Sequence, residues 1–201
     1  MITNRIGPLA VFAAAALALA VSGCSESGSP SSMASTTSAV AGATTTSGPE
    51  SEAPIPTDAS KKSSTASAGA KLTVTDVRVG EHEGYDRVVY ELGGKGTPGW
   101  RVQYVDEAIQ DGSGKTVPVS GSGILQVLID GSAYPFDSGV EGYAGPDPVP
   151  GTPGGAVTGV HGALVFEGVT QSFIGVSQPG SPFSVTALTN PTRVIVDIAK
   201  R

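Results

Sequence analysis

Hydrophobic and polar positions divide the chain into three regimes. From Pro8 to Val21 the residues are almost all Ala, Leu and Val. After Cys24 that run gives way to Ser, Thr, Ala and Gly with scattered Pro, as in SSMASTTSAVAGATTTSGPE and KKSSTASAGA. From Lys71 to the end, short apolar runs alternate with turn-forming pairs. Seven of these runs have strand length and β-branched content: KLTVTDVRV, DRVVYEL, WRVQYV, GILQVLI, GALVFEGV, FSVTAL and TRVIVDI. In the first, Leu72 and Val74, then Val77 and Val79, make an apolar set broken by polar residues. Gly-Gly, Thr-Pro-Gly, Asp-Gly, Pro-Gly and Asn-Pro separate the runs. Beyond the first apolar run no window shows a 3.6-residue apolar period, and Ala108-Ile109-Gln110 predicts at most one helical turn. Many short strands at this spacing argue for a sandwich or barrel; the fold expected is all-β, a small β-sandwich over residues 71–201, one domain in size. Residues 141–155, EGYAGPDPVPGTPGG, hold four prolines and five glycines and predict a surface loop, functional or mobile.

The first regime is too short for a lone helix to cross ~30 Å of hydrocarbon, which takes roughly 20 residues. With Arg5 as the only charged side chain ahead of Cys24, it has the order of a secretory signal. The small residues Val21-Ser22-Gly23 lead directly into Cys24, the only cysteine of the chain. An ordinary signal needs no thiol there. VSGC resembles the lipobox of bacterial lipoproteins, where lipid transfer forms a thioether and so requires a nucleophilic sulfur with small neighbours. The expectation is a signal peptide over residues 1–23, lipidation at Cys24 with palmitate-type chains, and a protein held at the extracytoplasmic face of the cell membrane. Two or more acyl chains give a stable anchor where one gives marginal binding. Residues 24–70 are expected as a disordered tether, because their apolar surface is too small to offset the entropy of ordering them. Random-coil scaling gives that tether a reach of roughly 35–40 Å.

Charge narrows the partners. Residues 71–201 hold nine Lys and Arg against fourteen Asp and Glu, with no basic stripe. Nucleic acid is therefore a poor partner, and anionic headgroups are not an electrostatic target. Several stretches imitate catalytic motifs. GKGTPG, Gly94 to Gly99, has the letters of a dinucleotide fingerprint, but Pro98 and the strand-like WRVQYV follow where a helix is needed, so a hairpin loop is expected. DGSGKT ends like a phosphate loop, yet Ile109 stands where its first glycine belongs and VPVSGSG follows, so a turn is expected. His82 sits between Glu81 and Glu83, whose side chains point to alternate faces of a strand, and His161 has no ligand-type neighbour at metal-binding spacing. No G-x-S-x-G elbow occurs in the domain, and the spacing of Asp106, Glu107, Asp130 and Asp197 selects no carboxylate pair for glycoside cleavage. The expectation is a protein without enzyme activity, metal or cofactor.

GYDRVVYEL, PGWRVQYVDE, GSGILQVLI, FEGVTQSFIGVSQPGSPFSVTAL and the closing NPTRVIVDI together resemble the AMIN-like domain of actinobacterial envelope lipoproteins. The most specific parts are Gly84-Tyr85-Asp86-Arg87-Val88-Val89 and Asn190 to Asp197, the latter similar to the P-x-R-hydrophobic-x-hydrophobic-Asp ending of AMIN domains. The resemblance implies a small, non-catalytic β-sandwich associated with peptidoglycan or another envelope polymer. One departure stands at Ser184, where relatives often carry a basic residue.

Sugar recognition needs an aromatic platform beside polar side chains, since C–H faces stack on rings while hydroxyls take bidentate partners. Tyr85, Arg87, Trp100, Arg101 and Tyr104 are the candidate ligand-binding residues. In WRVQY, Trp100, Val102 and Tyr104 share one face and Arg101 and Gln103 the other, so Trp100 and Tyr104 go together into the core or onto a surface. Arg193 and Asp197 share a face with Ile195, as in a salt bridge at a sheet edge. The expected function is a membrane-anchored module that binds peptidoglycan or another envelope glycan. The alternatives are a protein-interaction module of an envelope complex, docking through a sheet edge, and a hydrolase.

Overall fold

The alternation in GILQVLID shows how its strand faces: Leu125, Val127 and Ile129 are fully buried, while Ile124, Gln126, Leu128 and Asp130 are half-buried on the other side. The computed structural model describes residues 53–201; the expected signal peptide, Cys24 and the expected tether up to residue 52 lie outside them. The described chain runs β1 (Lys62–Ser64), β2 (Lys71–His82), β3 (Tyr85–Lys95), β4 (Gly99–Val105), β5 (Gly123–Asp130), a short helix α1 (Pro135–Ser138), β6 (Val149–Pro150), β7 (Val157–Phe166), β8 (Val169–Val176), β9 (Phe183–Leu188) and β10 (Thr192–Ala199). All pairings between these strands are antiparallel, while Leu72 makes a single parallel bridge to Ser132. They build a six-stranded sheet, β1-β4-β5-β8-β7-β6, and a four-stranded sheet, β2-β3-β10-β9.

The two sheets face each other over one core, the β-sandwich expected. Val88, Tyr90 and Leu92 of β3 and Val194, Val196 and Ile198 of β10 meet Val102, Val127, Ile174 and Val176 from the larger sheet. A polar bond also spans the layers: the Tyr90 hydroxyl bonds to Ser172 Oγ at 3.0 Å, and Ser172 Oγ donates to the His161 carbonyl. Burial drives the Tyr90 pKa upward. In β2 the apolar phase slips because the register shifts between Val74 and Asp76. The bulge brings Val77, as well as Leu72 and Val74, to the core.

Tertiary pairing overrode several local readings. GALVFEGV is not one strand, because Glu167 and Gly168 both adopt positive φ, 47° and 81°, and Phe166 pairs with Val169. That is a two-residue hairpin of the type whose twist suits antiparallel strands. Glu is unusual at its first position, so no turn signal marked it. GKGTPG is not a hairpin: it carries the chain from β3 in one sheet to β4 in the other. DGSGKT is a turn, closed by bonds from Gln110 N to the Lys115 carbonyl and from Gly114 N to the Gln110 carbonyl. Ala108-Ile109-Gln110 forms no helix; Ile109 bridges to Thr116 instead.

Part of the segment expected as tether, from Ala53 to Ala70, lies among the described residues and holds a strand. Lys62–Ser64 pair with Val102, Arg101 and Trp100, adding a strand to the edge of β4. Ser67 N bonds to the Thr97 carbonyl at 3.0 Å, and Ser67 Oγ accepts from Thr97 N at 2.9 Å. Polar side chains do not prevent this, because a sheet edge recruits backbone N–H and C=O groups whatever side chains they carry. The 141–155 loop is anchored as well. Tyr143 N bonds to the Val74 carbonyl, Val149 is buried opposite Val160, and Asp86 Oδ2 accepts from Val157 N and the Thr152 hydroxyl.

Candidate functional site

The five residues selected from sequence fall in three separate places. Tyr85 and Arg87 lie on the outer side of β3 and are buried, at 0% and 4% exposure. Arg87 takes Asp197, its direct register partner on β10, through Nε–Oδ1 at 2.7 Å and Nη2–Oδ2 at 3.0 Å, and its guanidinium lies 5.5 Å from the Tyr85 ring centre. This pair joins the two central strands of the small sheet, so the ion pair seen for Asp197 is made with Arg87 and lies away from the sheet edge. Ser184 stands opposite Asp197 from β9. His82 stacks on the far side of this row, its ring 4.8 Å from that of Tyr85.

Trp100 and Tyr104 turn inward with Val102 and pack half-buried against the core. The Tyr104 hydroxyl bonds to the Ser181 carbonyl at 2.9 Å, its ring meets Phe183 edge-on, and burial pushes its pKa up to about 12. Arg101 points to the outer face and grips Asp130 in bidentate fashion, at 2.7 and 3.1 Å. The carboxylates considered for catalysis are dispersed: Asp197 on Arg87, Asp130 on Arg101, Glu107 on the Thr116 hydroxyl.

A different place gathers aromatic and polar groups. Residues 131–143 lie along the free edge of β2. Ala133 N bonds to the Leu72 carbonyl, Tyr143 N to the Val74 carbonyl, and Thr73 Oγ1 donates to the Ala133 carbonyl while lying 2.6 Å from Ser138 Oγ. This lays Tyr134, Pro135 and Tyr143 along one wall of a groove of about 430 Å³. The opposite wall is the end of β7, Ala163 to Phe166. There β6 extends no further along β7 than Val160, which leaves that edge without a neighbouring strand among the described residues. Gln110 and Asp111 close the end. Their turn is held by Gln171, whose Oε1 accepts from Asp111 N at 2.8 Å and whose Nε2 donates to the Ile109 carbonyl at 3.0 Å. Gly112, at φ +76°, lets that turn sit on the Phe166 ring, where a Cβ would come within 2.7 Å of the aromatic carbons.

Five of the six large apolar side chains exposed among the described residues line or adjoin this groove: Ile109, Tyr134, Phe136, Leu164 and Phe166. Phe136, 81% exposed, stacks on Tyr134 with ring centres 5.4 Å apart and planes within 6°. Apolar surface gathered in one place and rimmed by polar groups marks a binding site. Beyond Tyr143 lies a shallower recess lined by Asp76 and Glu141. Burial, then the charges of Asp76 and Asp147, raise the Tyr143 pKa. The sequence did hold a signal for this site. Tyr134 and Phe136 flank a proline in a segment with no strand pattern, where an aromatic ring has no assured place in a core.

A family model for the AMIN-like domain matches residues 72–200. No curated protein matches the chain. No solved structure matches it either.

Proposed function

The chain belongs to the AMIN-like family, and from that premise we propose that it is a non-catalytic envelope module that binds a cell-wall glycan in the groove between β2 and β7. The AMIN-like domain points to a peptidoglycan-associated envelope domain. The observation that carries the binding site is the exposed Tyr134–Phe136 stack beside a groove whose polar lining is hydroxyl, amide and a single carboxylate. Rings of this kind stack on sugar C–H faces, and amides and carboxylates serve hydroxyls. Co-sedimentation of residues 53–201 with purified cell wall tests the reading. Enrichment well above an albumin control is expected, and equal recovery would count against it. Wall fragments released on incubation, and lost on replacing one carboxylate, would put a hydrolase in its place.

The anchor belongs to the same proposal. Val21-Ser22-Gly23-Cys24 supports cleavage before Cys24 and lipid on its sulfur, which places the domain outside the cytoplasm on the chain that follows. Mass spectrometry of the mature protein is expected to show a lipid-modified N-terminal Cys24. An unmodified thiol in a soluble chain that still starts at Met1 would overturn it.

A second reading has one observation in its favour. Among the described residues β10 is the one strand that pairs with β9, which carries no charged residue and exposes Thr186 and Ala187. Phe183 N at its start donates to the Asp58 carbonyl, and the uncharged remainder of this edge is open to strand addition by a protein partner. Crosslinks from β9 that persist after the glycan is digested would favour that reading.

A further inference from the structure

The glycan-binding reading leaves the chemistry of the sugar open, and the groove narrows it. We propose that the groove selects an uncharged sugar ring, seated against Tyr134, whose hydroxyl or acetamido N–H groups donate to the Asp111 carboxylate. Anionic sugars are excluded.

The polar groups of the groove differ in how far they are already engaged. Both ends of the Gln171 amide are taken by the 109–111 backbone, so this side chain positions the wall. Thr73 Oγ1 is engaged with Ala133 and Ser138. Gln110 Oε1 accepts from Ser113 Oγ at 2.8 Å, which leaves its side-chain amide N–H groups as donors. Asp111 gives its backbone N–H to Gln171, while its carboxylate accepts no hydrogen bond among the described residues. The groove therefore offers a charged acceptor and an amide donor next to an aromatic face. That combination fits ring hydroxyls and acetamido groups.

Charge decides the rest. Among the described residues no Lys or Arg lines the groove. Arg101, which feels the Asp111 charge, is already engaged by Asp130. The neighbouring recess adds Asp76 and Glu141. A uronate, a lactyl carboxylate or a phosphate would be desolvated beside like charge with no cation to meet it, and a site rejects a ligand by that means as surely as by a clash. A volume of about 430 Å³ suits a short stretch of sugar rather than a large folded partner.

The test is titration calorimetry of the full-length chain in mild detergent, with two oligosaccharides of matched length: chitotetraose, uncharged and N-acetylated, and tetragalacturonate, anionic. Chitotetraose is expected to bind at least tenfold more tightly. Tyr134→Ala is expected to weaken it by tenfold or more. Asp111→Lys, on an exposed turn where folding is not at stake, is expected to weaken chitotetraose and strengthen tetragalacturonate. Equal or tighter binding of tetragalacturonate by the unaltered chain would overturn the proposal, as would chitotetraose binding indifferent to both substitutions. A chain that sediments with cell wall yet binds neither oligosaccharide retains the glycan-binding reading and loses this assignment. One that fails to sediment loses both.

Discussion

Arg87 and Asp197 face each other across the two central strands of the four-stranded sheet and join edge to edge, with Nε–Oδ1 at 2.7 Å and Nη2–Oδ2 at 3.0 Å. Both are almost fully buried. Removing Asp197 takes the bidentate carboxylate from a buried guanidinium. Asp197→Ala is expected to lower the unfolding free energy by about 3–5 kcal/mol in urea denaturation of residues 53–201. The double substitution Arg87→Met with Asp197→Leu is expected to recover much of that loss, because apolar replacement of both leaves no orphan charge. A double variant as weak as the single one would mean that shape rather than charge governs this row.

The hairpin at Glu167 and Gly168 gives a second prediction. Gly168 holds φ +81°, where a Cβ is strained, so Gly168→Ala is expected to cost about 1 kcal/mol. Glu167, at φ 47°, occupies a position that favours Asn, and Glu167→Asn is expected to raise stability by a few tenths of a kcal/mol up to ~1. In a domain of this size each kcal/mol moves Tm by roughly 2–4 °C, so calorimetry resolves both signs.

His161 makes folding pH-dependent. It is buried on β7, its Nε2 has no hydrogen-bond partner among the described residues, and burial lowers its pKa from 6.5 while the Asp147 charge opposes that shift. The folded state thus favours the neutral ring. Its stabilising contribution is complete above pH 6.5 and is lost as pH falls below that value toward the folded pKa. Replacing His161 with Gln is expected to flatten the fall in stability on the acid side of 6.5, read from denaturation midpoints across pH. An unchanged slope would assign the pH dependence to other groups.

A chain truncated to begin at Lys71 is expected to be less stable than one beginning at Ala53 and to aggregate more readily. It lacks β1, which pairs with Val102, Arg101 and Trp100, and it lacks the Ser67–Thr97 bonds that brace the inter-sheet crossing. The bared edge of β4 is then open to other chains. Sedimentation velocity and thermal melts of the two lengths compare directly; identical behaviour would show that β1 adds nothing to the fold.

The alternation of GILQVLI, the apolar sets of KLTVTDVRV and TRVIVDI, and the glycine and proline breaks made a β-sandwich legible from the chain alone, since a half-buried strand must repeat every second residue. The two most family-specific stretches, GYDRVV and NPTRVIVD, prove to be neighbours: β3 and β10 pair through Arg87 and Asp197. Local pattern did not show that adjacency, nor that Tyr85 and Arg87 lie buried within it. It also passed over β1, whose pairing uses backbone groups that Ser and Lys carry as well as Val does. The groove was the least legible feature. Thr73, Asp111, Tyr134 and Phe166 line one space only because β2, the β4–β5 loop, the approach to α1 and β7 meet there. Periodicity is a property of neighbours along the chain, and it determined the strands and their inward faces. Convergence of distant side chains depends on how the sheets pack, and the tertiary structure alone decided it.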